Sequence, residues 1–113
     1  MIIENAALRA VKSDLKHLDD VSSKLGFVRW QWEYYRATYD YKIEYKGDEY
    51  FLRINTRAVE GKLESPYAIL AVEEIYLGRG TFPHGLDYES PVAEDVVKVA
   101  NQKLNELTKQ LAD

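Results

Sequence analysis

The chain has no cysteine and only two histidines, three prolines and one methionine among its 113 residues. Without cysteine there is no disulfide scaffold, no thiol nucleophile and no thiolate site for zinc or an iron–sulfur cluster. Long apolar runs are missing too. No stretch approaches the roughly 18 apolar residues of a membrane-spanning helix, and charges interrupt Met1 to Leu15 where a signal peptide would carry its apolar core. The expected location is cytoplasmic, with no membrane partner. Positive charge is in deficit, 15 Lys and Arg against 19 Asp and Glu, and the net charge of −4 argues against nucleic acid. No phosphate loop, dinucleotide fingerprint or nucleophile elbow occurs, so no cofactor is expected. A metal would need His84 to converge with Asp87, Glu89 or the Glu73-Glu74 pair, and no spacing supports that.

What remains is an ordinary globular composition with an unusual share of tyrosine, nine against three phenylalanines and two tryptophans. Tyrosine buries its ring while its hydroxyl seeks a partner, which suits half-buried sheet faces and interfaces. The length matches one domain over 1–113, enough for a core without staples.

Hydrophobic periodicity divides the chain. Leu8, Val11, Leu15, Leu18 and Leu25 share one face of a first helix, which Asn5 can cap and Gly26 can end. From Phe27 the period becomes two: Tyr39, Tyr41, Ile43 and Tyr45 alternate with Thr38, Asp40, Lys42, Glu44 and Lys46. A tight turn at Gly47-Asp48 sets Tyr45 against Tyr50, Ile43 against Leu52, Tyr41 against Ile54 and Tyr39 against Thr56. A two-residue loop at Arg36-Ala37 would place Trp32 opposite Tyr41, Trp30 opposite Ile43 and Val28 opposite Tyr45, although Arg-Ala suits such a turn poorly; Arg29 then meets Glu44. Tyr67 to Leu77 reads as a fourth strand of unclear phase, either covered on both faces or bulged. An irregular stretch, Gly78 to Glu89, precedes a helix started by Ser90-Pro91 and striped by Val96, Ala100, Leu104, Leu107 and Leu111. The expected fold is α+β, in the order α-β-β-β-β-α: a four-stranded antiparallel sheet with the N-terminal and the C-terminal helix packed on one face.

Taken together, Thr38-Tyr39-Asp40-Tyr41-Lys42, Tyr50-Phe51-Leu52-Arg53, Ala58-Val59-Glu60-Gly61 and Pro83-His84-Gly85-Leu86-Asp87-Tyr88 resemble the YugN-like family of small bacterial proteins. The resemblance covers most of the chain, from about Gly26 to Tyr88. It implies a fold and a cytoplasmic setting, and supplies no catalytic residues to carry over.

Two functional readings stand. The first is a non-catalytic binding or adaptor domain acting through protein–protein contact, expected as a homodimer, with Tyr67, Ile69, Ile75 and Tyr76 as candidate interface on a strand whose two apolar faces cannot both be covered by the helices. The second is a small-ligand binder or enzyme using the Gly78–Glu89 loop. There His84 is acid, base or ligand, Asp87 orients it, Arg79 holds an anion and Tyr88 lies beside them. The plain alternative is a histidine that fixes the turn by bonding a backbone carbonyl. The aromatic face of Trp30, Trp32, Tyr39 and Tyr41 could stack single-stranded nucleic acid, but the helices need the same face, and the core reading is the stronger.

Overall fold

The computed structural model describes residues 1–31, 33–81 and 85–112, with the backbone alone at Gln31. In chain order it contains α1 (Ala6–Arg9), β1 (Lys12–Asp14), α2 (Leu15–Lys24), β2 (Val28–Gln31), β3 (Arg36–Tyr45), β4 (Asp48–Glu60), β5 (Ile69–Gly80), β6 (Leu86–Asp87) and α3 (Glu94–Leu111). The α+β class and the helices packed on one face hold. Among the described residues the sheet has six strands rather than four, ordered β1-β5-β4-β3-β2, with β6 also on β5, and each pairing is antiparallel.

The expected first helix is broken. The Asn5 side chain caps α1 by accepting from the Leu8 N–H at 3.0 Å, but Lys12 to Asp14 then pair with Ala71 to Ile69 on β5. Asp14 starts α2 by accepting from the His17 N–H at 2.9 Å. The apolar spacing survives the break because both short helices lie on the same core, with Leu8, Leu15 and Leu18 buried. The last helix starts at Glu94, a few residues beyond Ser90-Pro91, and Ala93 offers no side-chain cap; its stripe from Val96 to Leu111 is buried as expected.

Both hairpins differ from the arithmetic. The β3–β4 turn is Lys46-Gly47, with φ of 50° and 83°, a pair of positive angles that puts glycine second. Tyr45 therefore faces Asp48, Ile43 faces Tyr50, and Tyr41 faces Leu52. The slip of two residues keeps every side chain on its expected face, so Ile43, Leu52 and Ile54 are buried and Lys42 points away. At β2–β3 the error is odd. Arg36 and Ala37 belong to β3, the chain turns earlier, and Trp30 faces Thr38 instead of Ile43, while Val28 faces Asp40 instead of Tyr45. An odd slip inverts the strand: Val28 and Trp30 lie on the outer face, away from the helices, 58% and 57% exposed. Arg29 turns inward to Asp19 of α2, 3.5 Å away, and not to Glu44. Trp32 lies outside the described residues.

The phase of the fourth strand is resolved by a bulge. Asn55 pairs with Glu74 and Thr56 with Val72, which leaves Glu73 unpaired on β5. That extra residue returns Leu70, Val72, Ile75 and Leu77 to the same, helix-covered face. The bulged carboxylate sits 3.2 Å from Arg57 Nε and 3.9 Å from Arg36 Nε.

Tyrosines join sheet to helices. The buried Tyr39 hydroxyl donates to Asp19 at 2.6 Å, Tyr45 donates to Asp95 of α3 at 3.1 Å, and the Tyr41 ring lies 5.5 Å from Phe27 and 4.9 Å from Lys103 Nζ. Tyr39 and Tyr45 pack their rings towards the core and tie their hydroxyls to a helix, while Tyr41 meets α3 through the Lys103 ammonium over its ring.

Candidate binding groove on the outer sheet face

Alternation along β2 to β5 places Val28 and Trp30, Thr38 and Asp40, Arg53 and Phe51, and Tyr76 and Gly78 on the face without helices. Trp30 on β2 and Leu86 on β6 are separated by three strands, yet both line one groove of about 540 Å³. The sheet is therefore curled around its outer face. Two glycines permit the closure. A Cβ on Gly78 would meet the Asp87 carbonyl oxygen at 2.5 Å, and one on Gly80 would meet the Phe51 ring at 2.9 Å, so β6 and Phe51 approach bare backbone.

The floor carries a fixed ion pair. Arg53 Nε and Nη2 each donate to one oxygen of Asp40 at 2.8 Å, the bidentate geometry that suits guanidinium and carboxylate. Asp40 is only 7% exposed. Arg53 Nη1 donates to the Tyr88 hydroxyl at 3.3 Å, and Tyr88 packs on Tyr76 with ring centroids 4.9 Å apart. Hydrogen bonding to Asp40 holds the Arg53 guanidinium even above its usual high range, so its charge is permanent. Phe51, Leu86 and Trp30 supply apolar walls, and Glu49 stands at the rim.

The residues expected to form a site are only partly brought together. His84 lies outside the described residues. Arg79 and Asp87 are cross-strand partners on β5 and β6, and with Tyr50, Ser90, Pro91 and Val92 they line a smaller cavity of about 150 Å³. The Asp87 carboxylate accepts from the N–H groups of Glu89 at 3.0 Å and Ser90 at 3.1 Å, a turn that leads the chain towards α3. Hydrogen bonding to Ser90, with a contribution from Glu89, keeps this carboxyl below the usual aspartate range. Tyr88 faces the other way, onto Arg53. Of the four candidate interface residues, Tyr67 is 75% exposed, Ile69 is half-buried, Ile75 is in the core, and Tyr76 is half-buried on the outer face under Tyr88. They do not form one surface. His17 is half-buried, with Nε2 3.4 Å from the Leu111 carbonyl.

Among the described residues no three His, Asp or Glu side chains converge as metal ligands, and no helix is long and apolar enough to cross a membrane. Sequence reasoning missed Asp40, Phe51, Arg53 and Leu86 as site residues, and weighed Trp30 as a stacking residue only to place it in the core. Phe51 carried a signal, since it is apolar in the polar phase of its strand. The Asp40–Arg53 pair follows from the Lys46-Gly47 turn alone.

A curled antiparallel sheet, grooved on one face and covered on the other by helices from both ends of the chain, defines a small α+β class. The chain belongs to the YugN-like family, whose sequence model matches residues 4–111. It is 37% identical over 84 residues to the uncharacterized protein YlbA of Bacillus subtilis (strain 168), covering 74% of this chain and 70% of that protein. It is 34% identical over 74 residues to the uncharacterized protein YugN of the same organism, covering 65% and 55%. The crystal structure of the uncharacterized conserved protein YugN from Geobacillus kaustophilus HTA426 superposes with a TM-score of 0.85 at 32% identity, over 99% of this chain and 95% of that one.

Proposed function

We propose that the protein is a non-catalytic, cytoplasmic binding or adaptor domain that works through protein–protein contact, and that the contact is the open β2 edge of the sheet. The observation that carries this reading is the contrast between the two edges. Beyond β5 the sheet ends in separate short pieces, the three-residue β1, the two-residue β6 and the N-terminal segment, where the Ile3 N–H donates to the Ile75 carbonyl at 2.9 Å and the Leu77 N–H to the Met1 carbonyl at 2.8 Å. Among the described residues nothing pairs with the outer side of β2. An unpaired strand edge is a template for another strand. Val28 and Trp30 are exposed on that strand, while Tyr34 and Tyr35, also exposed, lie towards β4, where their carbonyls accept from the Leu63 and Ala58 N–H groups. Tyrosine and tryptophan are the residue types that anchor protein interfaces.

The partner that needs no further component is a second copy, because two-fold dimers are the commonest assembly and an antiparallel β2–β2 pairing is self-complementary. The homodimer first expected through Tyr67 to Leu77 thus moves to the opposite edge, since the Glu73 bulge removes the second apolar face that motivated the earlier surface. Sedimentation equilibrium tests it. Wild type should give twice 13.1 kDa in the micromolar range and Trp30→Lys should give the monomer mass. A wild type that stays monomeric, or a Trp30→Lys variant that stays dimeric, overturns the β2 contact.

A further inference from the structure

We infer that the groove between β2 and β6 is a binding site for a small, flat, apolar molecule bearing a neutral carbonyl head, and that Arg53 is the residue that reads the head. The site lies on the outer face of the sheet and the proposed dimer on the backbone edge of β2; Trp30 is common to both, so each titration is read alongside the measured mass of the same variant.

Shape comes first. A groove of about 540 Å³ falls within the range of small-molecule pockets, roughly 300–1,000 Å³, and its walls are Trp30, Phe51 and Leu86. Trp30 is 57% exposed although it lies on a sheet face, and it offers one indole surface as a stacking wall. The chemistry of the head follows from counting donors. A guanidinium has five N–H groups. In Arg53 two go to Asp40 and one to Tyr88, and the other two have no acceptor among the described residues. Asp40 occupies the Nε/Nη2 side of the guanidinium, which fixes the plane and leaves one N–H on Nη1 and one on Nη2 for an incoming acceptor.

Charge then selects among acceptors. Arg53 is already neutralised by a carboxylate 2.8 Å away, so the floor has no net charge to offer a second anion. A carboxylate head would be brought close to Asp40, while Glu49 at the rim is itself 3.9 Å from Lys42 Nζ. A neutral carbonyl accepts the same two N–H bonds without that opposition. Phe51 and Leu86 suit an aromatic body better than a polar one.

The test uses three probes of one shape in titrations of the wild-type protein followed by 1H–15N NMR: naphthalene-1-acetamide, naphthalene-1-acetate and 1-methylnaphthalene. The amide should bind saturably, shift the Trp30 indole and Arg53 Nε–H signals, and bind about tenfold more tightly than the headless hydrocarbon, the gain expected of two hydrogen bonds. The acetate should bind more weakly than the amide. Acetate binding as tight as the amide overturns the charge argument; equal binding of the hydrocarbon overturns the role of Arg53; no saturable shift with any probe overturns the site. Trp30→Ala, a change at an exposed position, keeps the fold and should weaken the amide severalfold, and unchanged affinity in that variant overturns the stacking wall.

Discussion

Arg53→Met is the substitution that most sharply tests the floor of the groove. The Asp40 side chain is 8% exposed, and Arg53 is its partner through both carboxylate oxygens. Removing the cation leaves a buried carboxylate uncompensated, a situation that costs about 3–5 kcal/mol. The chain can escape by protonating that carboxyl. An ordinary aspartate titrates near 3.9, so protonation at pH 7 costs about 4 kcal/mol and at pH 5 about 1.5 kcal/mol. That escape sets a ceiling, and the destabilisation should therefore fall from about 3–4 kcal/mol at pH 7 to about 1.5 kcal/mol at pH 5. The sign is set by proton uptake: the folded variant binds the proton more readily than the unfolded chain, so its stability declines relative to wild type as pH rises. Asp40→Asn is the control. It leaves a guanidinium that is 28% exposed and still bonded to Tyr88, with an amide oxygen to accept one bond, and should cost only about 1–2 kcal/mol. Urea denaturation of both single variants and the double variant, at both pH values and with a common m, measures these differences. Equal cost for Arg53→Met at pH 5 and pH 7, or a greater cost for Asp40→Asn, would refute the reasoning.

Leu15→Ala and Leu104→Ala, at positions 5% and 0% exposed, should each cost about 2–5 kcal/mol by urea denaturation, and less than about 0.5 kcal/mol at both would show that the helix stripes are not core. Burial first, and then the hydrogen bond to Asp19, push the Tyr39 phenol well above its usual 10.0. The stability this contributes is whole below pH 10.0 and is lost as pH rises above it, so Tyr39→Phe should make the alkaline decline shallower; the same slope in wild type and variant, followed by circular dichroism, contradicts this.

The sequence revealed most where a period persisted long enough to be read. Tyr39 to Tyr45 alternated over the length of a strand, and Val96 to Leu111 repeated over the length of a helix, so both faces were legible. A register error of two at Lys46-Gly47 left them intact. β1 was not legible because Lys12 to Asp14 is too short to show a period and sits inside a helical spacing that its neighbours satisfy by packing on the same core. Asp14 was the available clue, since a capping residue in mid-pattern marks a second helix start. At β5 the conflict between Ala71 and Val72 as inward residues was itself the signal of the bulge at Glu73. The groove was hidden for a different reason. Its floor depends on the β3–β4 register and its wall on the inverted β2, and an odd error at the Arg36-Ala37 turn moved Trp30 into a core it does not enter.

The closed edge of β5 also dictates an order of events during synthesis. β2, β3 and β4 follow one another along the chain and can zip as a meander once each turn emerges. The first part of the chain has no such neighbour: Ser13 pairs with Leu70, the Ile3 N–H with the Ile75 carbonyl, and α1 packs against β5 and α3. Closing contacts between such distant segments is slow compared with local pairing. The residues up to β1, made well before β5, have no strand partner until β5 has left the ribosome, and α1 finds its full packing only when α3 arrives. On a nascent chain the apolar side chains of Ile3, Leu8 and Val11 are therefore exposed for most of translation, which makes this segment, rather than the late-made α3, the natural point of engagement for a chaperone.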